Sequence, residues 1–160
     1  MSMTDRRFLR HTIATLAYRA SKTMRDAPES FAHFKADPGS NTPLVIVAHM
    51  ADLYEWAYTM TRGAAKWHDT PPTDWETECA RFFTALEAVD RVLASDDSID
   101  FELTRIFSGP VADALTHTGQ LAMIRRMAGC PMKGENYSKA SIEIGRVGAD
   151  QIPPDAKNEF

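Results

Sequence analysis

The sequence lacks most of the features that announce a biochemical class directly. It has only two cysteines in 160 residues, Cys79 and Cys130, too few for a disulfide framework. No apolar run approaches the ~20 residues a spanning helix needs, which excludes a transmembrane segment. Positive charge is not in excess, since 18 Lys and Arg stand against 22 Asp and Glu for a net charge of −4. That balance argues against a duplex-DNA binder held by phosphate electrostatics. The opening Met-Ser-Met-Thr-Asp-Arg-Arg-Phe leads into no apolar secretory segment, and with so few cysteines the expected setting is reducing and cytoplasmic. No P-loop, no Gly-rich dinucleotide fingerprint and no Ser-His-Asp or Cys-His nucleophile motif is recognisable.

What is present is a chain that is 44% hydrophobic and 25% charged, enough for one domain over residues 1–160. Most of its 8 glycines and 9 prolines fall at Pro28–Pro43, Gly63–Pro72, Gly109–Pro110 and from Gly129 onward. The windows between them carry apolar residues at spacings of three and four, the period of an amphipathic helix. A first helix is expected from about Asp5 to Arg25, capped by Thr4 or Asp5, with Leu9, Ile13, Leu16, Ala20 and Met24 buried. The second follows Asn41-Thr42-Pro43 and ends near Arg62, with Ile46, His49, Met50, Leu53, Ala57 and Met60 as its stripe. A third begins after Pro71-Pro72, capped by Thr73 or Asp74, with Trp75, Cys79, Phe82, Leu86, Val89 and Leu93 on one face. The fourth is expected from Ser108-Gly109-Pro110 to Gly129, with Asp113, His117, Gln120, Leu121, Ile124 and Ala128 inward.

Four such helices bury their faces best against one another, so the expected fold is all-α: a four-helix bundle over about residues 4–129, with a long crossover before the second helix. The tail, about residues 130–160, has one short helical stretch around Ser138–Gly145. It should pack on the bundle, over one end, or reach a neighbouring subunit.

The anomaly in this pattern is polar. His49 sits mid-stripe on the second helix, and Asp113 and His117, four apart, project from one face of the fourth. A buried ionised carboxylate costs several kcal/mol unless paired, and a divalent cation would supply the missing charge. Two imidazoles and one carboxylate leave a coordination position open, as catalytic sites do. Nitrogen and oxygen ligands without thiolate suit zinc, nickel, iron or manganese, and oxygen-dependent iron chemistry uses a similar triad. The plainer alternative is a hydrogen-bonded core histidine at His49, with Asp113 paired to His117 or to a cationic side chain, an arrangement common on ordinary helices.

Ala48-His49-Met50-Ala51-Asp52-Leu53 on the second helix, Asp113-Ala114-Leu115-Thr116-His117-Thr118-Gly119-Gln120-Leu121 on the fourth, and the following Arg125-Arg126-Met127-Ala128-Gly129 and Gly134-Glu135-Asn136-Tyr137 occur in an order that resembles the DinB-like superfamily. These are four-helix-bundle metalloenzymes that include thiol-dependent S-transferases. The resemblance covers most of the chain. It implies metal ligands at His49 and His117, the latter followed by Gly119-Gln120, and puts the remaining ligand at Asp113, where the family usually has histidine. It further implies a low-molecular-weight thiol, its pKa lowered by a divalent metal (zinc or nickel favoured), attacking an electrophilic small-molecule substrate, and it implies a homodimer. A metal-activated water for hydrolysis is the runner-up, and a non-enzymatic binding protein with a vestigial site is the alternative from another class.

Gln120 is a candidate to hydrogen-bond a ligand or a metal-bound water. Gly119, costly inside a helix, suggests close approach of another element or of a ligand, with packing the plainer cause. Asp52 is expected on a solvated face, with a supporting role behind His49 as the sharper option. Trp56, Tyr54 and Tyr58 are expected in core or interface, or as a pocket wall. Arg125 and Arg126 suit the dipole at the end of the fourth helix, and Glu135 and Tyr137 are candidates to cover the site. His11, His33 and His68 are expected in solvent, Cys79 as core filler, and Cys130 at a helix end. Trp67, exposed, and the long tail are compatible with a dimer.

Overall fold

The computed structural model describes residues 3–160, with side chains described from Asp5 onward. Among the described residues there are four long helical stretches and no strand, an all-α architecture. The first helix, α1 (Met3–Met24), begins ahead of the expected caps, so Asp5 falls within its first turn; the side chain of Thr4 lies outside the described residues. Its expected stripe of Leu9, Ile13, Leu16, Ala20 and Met24 is buried throughout.

The crossover that follows is not idle chain. A single 3-10 turn, Glu29–His33, inserts Phe31 into the core, where its ring meets Trp75 edge-on at 5.5 Å. Helix α2 (Pro43–Thr61) then starts where a capping residue followed by proline favours it. The Thr42 hydroxyl oxygen accepts the Val45 N–H at 3.4 Å, and Pro43 occupies the first turn, where no amide is needed. In α3 (Trp75–Ala94), Asp74 is the cap, accepting from the Thr77 amide at 2.9 Å and its hydroxyl at 2.7 Å.

The fourth helix departs from expectation. It opens at α4 (Leu103–Ile106), passes through a widened π-type turn at Phe107–Val111, and continues as α5 (Ala112–Met127). Gly109-Pro110 therefore lies inside the helical run instead of starting it. Proline has no N–H to donate and its ring collides with the carbonyl four residues back, so a helix passes through it only by kinking or widening its ladder. The widened turn is that accommodation.

The buried face of α5 also differs. Ala114, Thr118, Leu121, Ile124 and Arg125 are buried, while Asp113 and His117 are only half-buried and Gln120 is exposed. Arg125 turns inward because it has acceptors there. Its guanidinium donates to the carbonyls of Thr23 (3.1 Å), in the last turn of α1, and Arg25 (2.7 Å), just past its end, and to Cys130 O (2.9 Å). It thus serves the unsatisfied carbonyls of another helix's end and not, as expected, those of its own.

Helix α1 packs on α3 and α5, and α2 packs on the same two, with α2 and α3 sharing the longest contact. The tail returns along α1. Gly134 and Phe160 exchange amide hydrogen bonds at 2.9 and 3.0 Å. Buried Glu135 accepts from Lys22 Nζ (2.8 Å) and Tyr18 OH (2.7 Å), and Lys22 also reaches Glu159 at 3.0 Å. The expected helix at Ser138–Gly145 is reduced to one turn at Tyr137–Lys139. No helix among the described residues is long and apolar enough to cross a membrane.

Two substitutions test this packing. A Cβ at Gly119 would meet nothing within 4 Å, contrary to the close approach expected there, so Gly119→Ala should raise stability by about 0.5–1 kcal/mol in a denaturant melt. Tyr54 is fully buried against Phe82, and its hydroxyl has no hydrogen-bond partner. An orphaned buried hydroxyl costs about 1–3 kcal/mol, so Tyr54→Phe should leave stability unchanged or raise it by about 1 kcal/mol. A loss above that size would show a hydrogen bond at this hydroxyl.

Candidate metal centre

The site lies where the middle of α2 faces the first turns of α5. His49 comes from α2, and Asp113 and His117 come from one face of α5, one turn apart. Asp113 stands between the two imidazoles: His49 Nε2 is 3.5 Å from Oδ2, and His117 Nε2 is 3.4 Å from Oδ1. The imidazole rings meet edge to face with centroids 4.9 Å apart. One ligating atom from each of the three residues lies within 4.8 Å of the other two, so the group could hold a metal ion.

Contrary to the burial expected from the helical spacing, the three side chains are not enclosed in the core. The side chains of His49, Asp113 and His117 are 36, 46 and 19% exposed, so the carboxylate remains hydrated and carries little desolvation penalty. The trio sits on the rim of the core, and the case for a cation now rests on geometry.

Gaps of 3.4 and 3.5 Å are too long for strong charge-assisted hydrogen bonds. They match the separation of ligand atoms around a tetrahedral ion, about 3.4 Å for metal–ligand bonds of about 2.1 Å. Gln120 supports the same conclusion. Its Oε1 lies 2.8 Å from His117 Nδ1. With the amide turned so that its oxygen accepts, Nδ1 carries the proton and the lone pair of Nε2 in the neutral ring points at the carboxylate. Two lone-pair-bearing atoms face each other, an arrangement stabilised by a proton or by a metal ion between them. The nitrogen and oxygen donor set fits zinc, nickel, iron or manganese and does not choose among them.

The wall beside His49 was not legible in the sequence. The connection after α2 folds back so that Trp67 lies edge-on to His49 at 5.6 Å and to Trp56 at 5.7 Å. Hydrogen bonds to α2 pin that loop, among them Lys66 N to Thr59 Oγ1 at 3.0 Å and Thr70 N to Asp52 Oδ2 at 3.1 Å. Asp52 is therefore not on a solvated face. It is buried and paired with Arg81, whose guanidinium also reaches Glu78, Glu55 and the Ala48 carbonyl, at 2.8–2.9 Å throughout. Its role is to fix α2, α3 and the Trp67 loop together. Beside the site, a cleft at Asp113 is lined by Leu53, Trp56, Ser108, Gly109 and Thr116.

The remaining sequence candidates fall elsewhere. Glu135 and Tyr137 pack against α1, Tyr137 edge-on to Tyr18 and under Arg19, and do not cover the site. Tyr54 is in the core, Trp56 beside Trp67, and Tyr58 is exposed. His11, His33 and His68 are exposed, as expected. Burial pushes the Cys79 thiol up to about 12, which fits a packing residue and not a thiolate nucleophile. Cys130, just past the end of α5, is half-buried with a free thiol.

No family model, no curated protein and no solved structure matches the chain.

Proposed function

We propose that this protein is a metal-dependent enzyme of the DinB-like type, a four-helix bundle in which His49, Asp113 and His117 hold one divalent cation, zinc or nickel by preference. The observation that carries the reading is the convergence of two imidazole nitrogens and a carboxylate, drawn from two helices, within 4.8 Å. In its reaction the sulfur of a low-molecular-weight thiol, its proton given up to solvent, forms a bond to the electrophilic atom of a small molecule and displaces that atom's leaving group, with the protein working as a cytoplasmic homodimer and without nucleic acid.

When bound, the ion supplies Lewis acidity that lowers the pKa of a thiol or water at its open position. The chain's own residues do the rest. Gln120 fixes the His117 tautomer, Trp67 packs on the His49 ring and limits its rotation, and the exposed side of Asp113 faces the cleft at Trp56 and Gly109, where a substrate has access. Hydrolysis through an activated water would use the same groups. The non-enzymatic reading is favoured by one observation: Asp113 lies close enough to both imidazoles to form ordinary ion pairs with them when they are protonated.

Two variants separate these readings. Asp113→His restores the residue that the resemblance implies and should retain one ion per chain, whereas Asp113→Ala should lose it. If Asp113→Ala retains the ion as fully as Asp113→His in equilibrium dialysis, the carboxylate is only an ion-pair partner. With metal loaded, transfer of a thiol to a generic electrophile such as monochlorobimane should exceed the apo background at least tenfold. Absence of transfer with several thiols, alongside hydrolysis of an activated ester, would favour the water-based reaction.

A further inference from the structure

A second pocket lies on the opposite side of α5. Gly119 is two residues after His117, so it stands about 200° around the helix from the metal-facing side. It opens into a pocket of about 190 Å³ between α1, α5 and the returning tail, bounded by Leu115, Ala122, Met132, Tyr137 and Arg19. Two features of it have no structural explanation. A mid-helix glycine costs about 1 kcal/mol against alanine, yet a Cβ there would touch nothing within 4 Å. The half-buried Arg19 guanidinium stacks over the Tyr137 ring at 4.2 Å and, among the described residues, has no hydrogen bond or ion pair. It is a positioned cation without an anion.

We propose that this pocket binds a small monocarboxylate carrying a single ring or a short apolar chain, independently of the metal centre. The carboxylate pairs with Arg19, held flat by Tyr137 so that its donors are already oriented. The apolar body lies on Leu115, Ala122 and Met132, in the space that Gly119 leaves open. The size follows from the volume, since a cavity of about 150 Å³ accommodates benzene.

The test is a titration of the full-length protein with benzoate, phenylacetate and hexanoate, followed by amide chemical shifts and calorimetry, with benzamide as the uncharged control. At least one carboxylate should bind saturably and shift the Gly119 amide, and benzamide should not. Arg19→Gln should weaken binding by about tenfold to a hundredfold, the worth of one charge-assisted pair. Gly119→Leu, which suits the helix and fills the pocket, should abolish it while the melting temperature stays at or above that of the parent. His117→Ala should leave binding intact, which keeps this result separate from the fate of the metal reading. No saturable binding of any of the three acids, or equal binding by the Arg19→Gln variant, would overturn the proposal.

Discussion

We expect Arg81→Met to lower the stability of the fold by about 3–5 kcal/mol, the cost of leaving a buried charge without its partner. Arg81 is 19% exposed and is the common partner of Asp52 and Glu78, whose side chains are 5 and 2% exposed. Removing it strands two carboxylates in a region with little water. For a chain of this size the melting temperature should fall by roughly 10 °C. Arg105→Met is the matched control: Arg105 and Glu102 are 72 and 70% exposed, and an ion pair in water contributes at most about 1 kcal/mol. If the two variants melt alike, the Arg81 cluster is not the tie described above. Because Asp52 also receives the Thr70 amide, Arg81→Met should in addition loosen the loop that carries Trp67, visible as a red shift of tryptophan emission.

The second large effect concerns the site itself. His49→Ala and His117→Ala should each weaken divalent-metal binding by more than about 100-fold, because loss of a supporting partner alone costs about 10–100-fold. Gln120→Leu is the graded case. It leaves all three ligands in place but removes the acceptor that sets the His117 tautomer, so a loss of about 10–100-fold is expected. Calorimetric titration measures all three. Equal affinity in the wild type and the Gln120→Leu variant would mean that the amide is merely a surface neighbour.

The existence of the helices and the caps of α2 and α3 were legible because they depend on local chemistry, whereas α1 begins ahead of the Thr4 or Asp5 cap expected for it. Thr42-Pro43 and Asp74 start α2 and α3 where a capping oxygen followed by a helical run demands, and the α1 stripe follows directly from its spacing. The fourth helix was less legible. Gly109-Pro110 reads as a start, and only the packed fold reveals that a widened turn carries the helix through it. The phase of α5 was also misjudged, since its polar residues at 113, 117 and 120 left too weak an apolar stripe to fix the inward face. Tertiary partners decided it, chiefly the α1 carbonyls that draw Arg125 inside.

The site divides along the same line. Spacing placed Asp113 and His117 together, and their conjunction with His49 rested on two helices meeting as they do. The burial invoked to motivate a cation was wrong, while the gaps between ligand atoms and the Gln120 contact support one on other grounds. Trp67 could not have been found from sequence, because its placement depends on a loop pinned by Asp52 from eighteen residues earlier. An acid three residues after a histidine, with an arginine available on the next helix, is the signal that should have raised Asp52 above a solvated face.

The most direct test of the central claim is the metal content of the purified wild-type protein after equilibrium dialysis against zinc, nickel, manganese and iron(II) in turn. One ion per chain is expected for at least one of these metals, with zinc or nickel held most tightly. Substoichiometric retention of all four would contradict it and leave His49, Asp113 and His117 as an ordinary ion-paired cluster on the rim of the core.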